Sequence, residues 1–203
     1  LIFLLAIALA LLCALLPVHF KGYLTPLELM FTTPMKVVCI IAGSLIKITT
    51  RQLEHMKELN SIIVIEFNCF LVTDDLALEK ELERVIQLAN EHIKNGKTVA
   101  VFTRRERLDV HSGNKEDDLR LAVKISEAVT RIASSITVRP NFIIAKGGIT
   151  SSDVGTKALE VKKALVLGQI LPGIPVWLTG VESRFPDMPY VIFPGNVGSE
   201  TAL

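Results

Sequence analysis

Between residues 36 and 203, short apolar runs alternate with longer stretches whose apolar side chains recur every three or four positions. The runs KVVCIIAG (36–43), SIIVIEF (61–67), KTVAVFT (97–103) and NFIIA (141–145) have the length and β-branched content of buried strands. ALVLGQIL (164–171), IPVWLTG (174–180) and YVIFPG (190–195) read as three more. Between the first two runs, TTRQLEHMKEL (49–59) reads as a helix, with Thr49 and Gln52 at capping-box spacing. From Asp75 to Lys94 the residues Leu78, Leu82, Val85, Ile86, Ala89 and Ile93 share one helical face, and Asn95-Gly96 supplies a stop. Leu121, Ala122, Ile125, Ala128, Val129, Ile132, Ala133 and Ile136 make a second stripe. Residues 151–162 predict a further helix, with Thr150 as its N-cap and Asp153 at N3. Strands alternating with helices predict an α/β fold: a three-layer, mostly parallel sheet with helices on both faces.

The first twenty residues, LIFLLAIALALLCALLPVHF, break this rhythm and contain no Lys, Arg, Asp or Glu. They predict an apolar N-terminal helix, and three origins are open: a membrane anchor, the apolar core of a targeting segment, or a foreign end. A Pro-punctuated connector follows over 21–35, and the α/β domain occupies 36–203.

The chain has 203 residues and a net charge of +1, from 22 basic and 21 acidic side chains. No basic block stands out, which argues against nucleic acid as a partner. Cys13, Cys39 and Cys69 are far apart, with no CxxC and no Cys/His cluster at metal spacing, so no metal site is read. Buried free thiols fit a reducing compartment, and the cytoplasm is the expected location unless residues 1–16 anchor the chain to a membrane.

Three strands end alike. Residues 37–42 run into Gly43-Ser44, residues 142–145 into KGGITSSD (146–153), and residues 190–193 into PGNVGS (194–199). In a parallel sheet the carboxyl ends of strands share one edge, where ligands bind, so these turns are expected to converge. A helix N-terminus there offers free N–H groups to phosphate, and glycine lets the backbone approach closely. Taken singly, each turn is also ordinary cap or turn chemistry. No Walker-type GxxxxGK[ST] occurs, and residues 43–48 are not GxGxxG. Glu66 stands 23 positions after Gly43, about where a ribose-binding acid of a dinucleotide site belongs. Its alternative is a strand-end carboxylate in water.

The stretches KGGITSSDVGTKAL, VLGQILPGIPVW and ESRFPDMPYVIFPGNVG closely resemble, in order and spacing, the nucleotide-binding domain of the four-carbon acid sugar kinases. VVCIIAGSLIKITTRQL resembles the glycine-serine strand that opens that domain. The likeness covers roughly residues 36–203, with the last sixty the most specific, and is strongest to forms found in large fusion proteins with dehydrogenase-like and class II aldolase-like parts. It implies an ATP-binding domain using ATP and Mg²⁺, with the four-carbon sugar acid held by a separate domain. Carried over by position, Ser44 would contact the nucleotide. Gly147, Gly148, Ile149 and Thr150 would wrap the phosphates, and Gly195 and Asn196 would close the site. The resemblance assigns no catalytic base here. One departure is Ile46, where family members often carry a second hydroxyl.

Lys146 is a candidate partner for phosphate charge or a solvated loop lysine. Asp153 could aid Mg²⁺ through water or simply cap its helix. Arg104, Arg105, Arg107 and Arg184 could meet an anionic substrate or be solvated loop residues. Two other functions remain open at this point: a dinucleotide binder built on Glu66, and a non-catalytic, membrane-anchored nucleotide module.

Overall fold

The structure, a computed structural model, describes residues 37–106 and 115–203. The expected N-terminal helix, the connector, Cys13, Arg107 and His111 lie outside the described residues. Among the described residues no helix is long and apolar enough to cross a membrane.

Seven strands form one sheet: β1 (Val38–Ala42), β2 (Ile62–Phe67), β3 (Thr98–Thr103), β4 (Phe142–Lys146), β5 (Ala164–Leu171), β6 (Ile174–Thr179) and β7 (Pro189–Phe193). Their spatial order is β2-β3-β1-β4-β7-β6-β5. The pairs β2–β3, β3–β1, β1–β4 and β4–β7 are parallel, and β6 runs antiparallel to both its neighbours. The helices are α1 (Lys47–Lys57), α2 (Asp75–Lys94), α3 (Lys115–Ser134) and the short α4 (Gly148–Asp153), which continues as a wider turn over Val154–Ala158. A 3₁₀ turn, Cys69–Thr73, precedes α2 and has no signature in the apolar pattern.

The continuous apolar runs are explained by burial on both faces. On one face Cys39 and Ile41 of β1 pack with Leu82, Val85 and Ile93 of α2, Ile132 of α3 and Val154 after α4. On the other, Val38, Ile40 and Ala42 pack with Leu53 and Met56 of α1. Three helices therefore cover one face. One helix and the C-terminal Val197, Ala202 and Leu203 cover the other.

Helix α2 runs over the residues its stripe predicts. The Asp74 carboxylate accepts from the Leu76 and Ala77 amides, and Gly96 (φ 74°) follows the Asn95 C-cap. Two expected caps are corrected. Helix α1 begins after Ile46, which has no side-chain cap; Thr49 and Gln52 lie one turn inside it, buried. Helix α4 begins at Gly148 after Gly147, so Thr150 and Asp153 are interior. The Asp153 carboxylate accepts from Ser126 Oγ at 3.1 Å and pairs with Lys157 at 3.0 Å. Both errors have one cause: a hydroxyl that a cap would turn to its own amides is instead claimed by a neighbouring element or left in a turn cluster. The helical pattern also stops at Ala158, short of the expected residue 162.

Two buried side chains tie this region together. Tyr190 is fully buried and its hydroxyl donates to Ser151 O at 2.5 Å; burial pushes that hydroxyl's pKa up, so it stays a donor. Tyr190→Phe should cost about 1 kcal/mol, because one neutral hydrogen bond is lost while Ser151 O keeps a backbone donor. Thermal denaturation should show a drop of about 2–4 °C. Arg184, read as either a contact for an anionic substrate or a solvated loop residue, donates to the carbonyls of Ser134, Ala158 (3.4 Å) and Ile136 (3.2 Å).

Candidate functional site

The parallel register puts the three glycine turns on one rim. Ala42 pairs with Lys146, and Lys146 with Phe193, so β1, β4 and β7 end in a level row. The ladders extend one step further: Gly43 N–H donates to Lys146 O at 3.3 Å and Gly147 N–H to Phe193 O at 2.8 Å. The convergence that the sequence implies is therefore present. No helix follows β7; residues 194–203 form turns.

The turns touch one another, and this is what the glycines are for. A Cβ on Gly43 would lie 2.4 Å from Thr150 Oγ1. One on Gly147 would lie 3.1 Å from both Ser44 Cβ and Thr150 Oγ1, and one on Gly195 would lie 2.7 Å from Ser44 Oγ. Gly147 has φ 123° and ψ 144°, a conformation that is almost confined to glycine. The missing side chains thus first make room for the neighbouring turn, and only through that for a ligand.

Ser44, Gly147, Gly148, Ile149, Thr150, Gly195 and Asn196 are all on this rim. Gly148, Ile149 and Asn196 are exposed, Ser44 is half-buried, and Gly147, Thr150 and Gly195 are buried. The first amides of α4, on Gly148, Ile149 and Thr150, meet no acceptor among the described residues; the next, Ser151 N–H, closes onto Gly147 O at 2.8 Å. Thr150 Oγ1 likewise has no hydrogen-bond partner among the described residues, although Gly43 and Gly147 adjoin it. Helix α1 opens on the same rim, with Ser44 Oγ accepting from Ile46 N–H at 3.4 Å. Leu45, Ile46 and Ile149 project exposed apolar side chains beside these polar groups. A positive dipole end, unpaired donors and a flanking apolar surface make a site suited to an anion carrying an apolar group.

Sequence reasoning missed the residues that hold the turn after β7. Thr49 Oγ1 donates to Gly195 O at 2.9 Å, and Gln52 Nε2 donates to Val197 O at 3.2 Å and Ser199 O at 2.7 Å. Lys146 is buried, with Nζ 2.8 Å from Pro194 O and 3.2 Å from Val197 O, and 3.6 Å from the centre of the Phe193 ring. It is neither a solvated loop lysine nor turned toward the α4 amides. Desolvation pushes its amine pKa down to about 7. The signal for Thr49 and Gln52 was their polarity on a helix face otherwise destined for the core.

Other candidates lie away from the three glycine turns. Glu66 is level with Ala42 but two strands distant, because β3 lies between β2 and β1; that is about 10 Å. In a dinucleotide site the acid-bearing strand adjoins the first strand. Arg104 pairs with Glu106 at 2.8 Å, and Arg105 donates to Thr50 Oγ1 from Nε and Nη2. Two open clefts, about 480 and 440 Å³, adjoin β2 and the ends of β2 and β3. Their walls mix both charges and include none of the glycine turns. His55 faces Glu58 on the exposed side of α1. Among the described residues no group of three His, Cys, Asp or Glu could hold a metal ion.

Residues 39–203 match the model of a family described as a nucleotide-binding C-terminal domain. No curated protein gives a significant match. Among solved structures, a Salmonella typhimurium LT2 protein carrying a provisional tRNA synthase description superposes with a TM-score of 0.58 at 18% identity, covering 83% of this chain and 39% of its own. A domain of unknown function (DUF1537) from Bordetella bronchiseptica, solved with bound citrate as a domain-swapped dimer, gives 0.58 at 17% identity, over 81% of this chain and 38% of its own. A second crystal form of it gives 0.54 at 12% identity, over 85% and 38%. At these identities the likeness concerns the fold. The chain spans about two fifths of the length of these neighbours.

Proposed function

We propose, since the chain belongs to the nucleotide-binding C-terminal domain family of the four-carbon acid sugar kinases, that its three glycine turns hold ATP and that it is the ATP-binding portion of a kinase for a four-carbon sugar acid. The observation that carries the proposal is the level row of strand ends, which sets the unpaired amides of Gly148, Ile149 and Thr150 and the free Thr150 hydroxyl against Ser44 and Gly195.

In this reading those amides and the Thr150 hydroxyl bind the phosphate chain, Ser44 adds a hydroxyl from the first turn, and Gly195 and Asn196 close the far side. Leu45, Ile46 and Ile149 offer apolar surface to the base. ATP supplies the phosphoryl group, and Mg²⁺ would arrive on its phosphates, since the described residues gather no carboxylate cluster for it. Phosphoryl transfer needs positioning and charge stabilisation more than covalent help, and amides on a rigid sheet edge provide the first. The acid and the group that accepts its hydroxyl proton are assigned to a separate domain.

A nucleotide that binds only the folded chain raises its stability by RT ln(1 + [L]/Kd), about 2.7 kcal/mol at one hundred times Kd. MgADP at that excess should raise the melting temperature by about 5–10 °C, and NAD should leave it unchanged. An equal shift with NAD, or none with millimolar MgADP, would remove the proposal. A dinucleotide reading is disfavoured by the placement of Glu66.

A further inference from the structure

Lys146 is a fully buried, ionisable side chain whose position the proposed chemistry does not use. Among the described residues no carboxylate reaches its amine, and it lies between two of the turns. Burying an amine without a countercharge is unfavourable, and an apolar residue of the same length would fill the space without that penalty. What an ammonium does here, and a methyl group cannot, is bind two carbonyls of one turn at once while lying on the Phe193 ring.

We propose that Lys146 is the positioning residue of this site: from the end of β4 it clamps the turn after β7 by the Pro194 and Val197 carbonyls, and so sets Gly195 and Asn196 against the turn that begins at Gly147. The proposal rests on the nucleotide reading above. Thr49 and Gln52 hold the same turn from α1, but both are uncharged. Among the described residues that hold this turn, Lys146 is the one that makes the grip depend on charge.

Among the described residues, the elements around the amine bring no other charge to it. β1 and β7 are apolar where they flank it, and the α1 side chains at that turn, Thr49 and Gln52, are uncharged. Arg51 and Glu200, the charged pair nearest in sequence to these anchors, are bound to each other at the surface. The amine therefore titrates against desolvation, with the proton leaving the folded chain near pH 7. The ordinary value is 10.5, so between about 7 and 10.5 the unfolded chain holds more protons than the folded one. Stability from this group consequently rises with pH across that window. The clamp does the reverse, since a neutral amine is the weaker donor and loses its attraction to the ring. A lysine that served stability alone would not separate the two.

The test compares the full chain with Lys146→Met by calorimetric titration of MgADP from pH 6 to 8.5. Taking the ratio of the two dissociation constants cancels the titration of the nucleotide's own phosphate. At pH 6 the variant should bind about tenfold more weakly, and the ratio should shrink to about two by pH 8.5. A ratio of one at pH 6, or one that does not change with pH, overturns the proposal. Should Lys146→Met fail to fold, amide hydrogen exchange of the unmodified chain decides. Residues 195–199 should exchange faster above pH 7, after correction for the intrinsic rate, and a flat corrected profile overturns the clamp. If the unmodified chain binds no MgADP at any pH, the nucleotide reading falls, and the exchange profile still judges the clamp separately.

Discussion

Gly147→Ala should leave a folded chain that binds MgADP at least about a hundredfold more weakly, a loss of about 2.7 kcal/mol. The added Cβ meets a backbone with φ 123° and ψ 144°, where any other residue is strained by about 1–3 kcal/mol. It also presses to 3.1 Å against Ser44 Cβ and 3.3 Å against Ser44 N, and backbone cannot swing aside as a flexible side chain can. Relief must come from rotating the peptide that leads into α4, which re-aims the amides of Gly148, Ile149 and Thr150. The melting temperature should fall by about 3–10 °C. Gly96→Ala is the control, with φ 74° but nothing within 4 Å of the new carbon. It should cost about 1 kcal/mol and leave MgADP affinity as it was. A Gly147→Ala chain that melts lower yet binds normally would move the phosphate away from this turn.

The second large effect lies far from the rim. Arg184→Met should lower stability by about 2–3 kcal/mol, or roughly 5–10 °C, with nucleotide affinity unchanged once the protein is saturably folded. The guanidinium serves the carbonyls of Ser134, Ile136 and Ala158 together, at the end of α3 and the end of the turn that continues α4. A cation at a helix C-terminus is favoured by the dipole as well as by its hydrogen bonds. Its neighbours share the task. Ser183 Oγ donates to Leu159 O at 2.7 Å, and Glu182 Oε1 accepts from the Lys162 and Lys163 amides at 2.9 and 2.7 Å. Methionine keeps an unbranched apolar stem but removes the guanidinium, leaving those carbonyls without a charged donor. A melting temperature within 1 °C of the parent's would mean that solvent already serves those carbonyls.

The segment 182–184 shows why some residues resist reading from the chain. An Arg between Ser and Phe in a polar stretch carries no local sign of which carbonyls it will meet, and its partners lie about 26 to 50 positions away. The same holds for Thr49 and Gln52, whose partners are about 145 positions distant. Their spacing imitated a helix cap because capping boxes and buried anchoring pairs use the same short polar side chains. Lys146 is the sharpest case. A lysine before two glycines looks like a loop residue, and only the parallel pairing of β4 with β7 places a row of carbonyls within its reach.

By itself the sequence determined the strands, the principal helices and the parallel character of the sheet, because burial on two faces demands unbroken apolar runs and burial on one demands a stripe every three or four residues. It also marked the three glycine turns, since those positions need backbone that a side chain would obstruct. Tertiary structure alone decided the strand order, and with it that β3 separates Glu66 from β1. It decided too that Ala42, Lys146 and Phe193 end level, and that the glycines serve turn-on-turn packing. Those outcomes depend on registers between segments up to about 150 residues apart, which local hydrophobic periodicity does not encode.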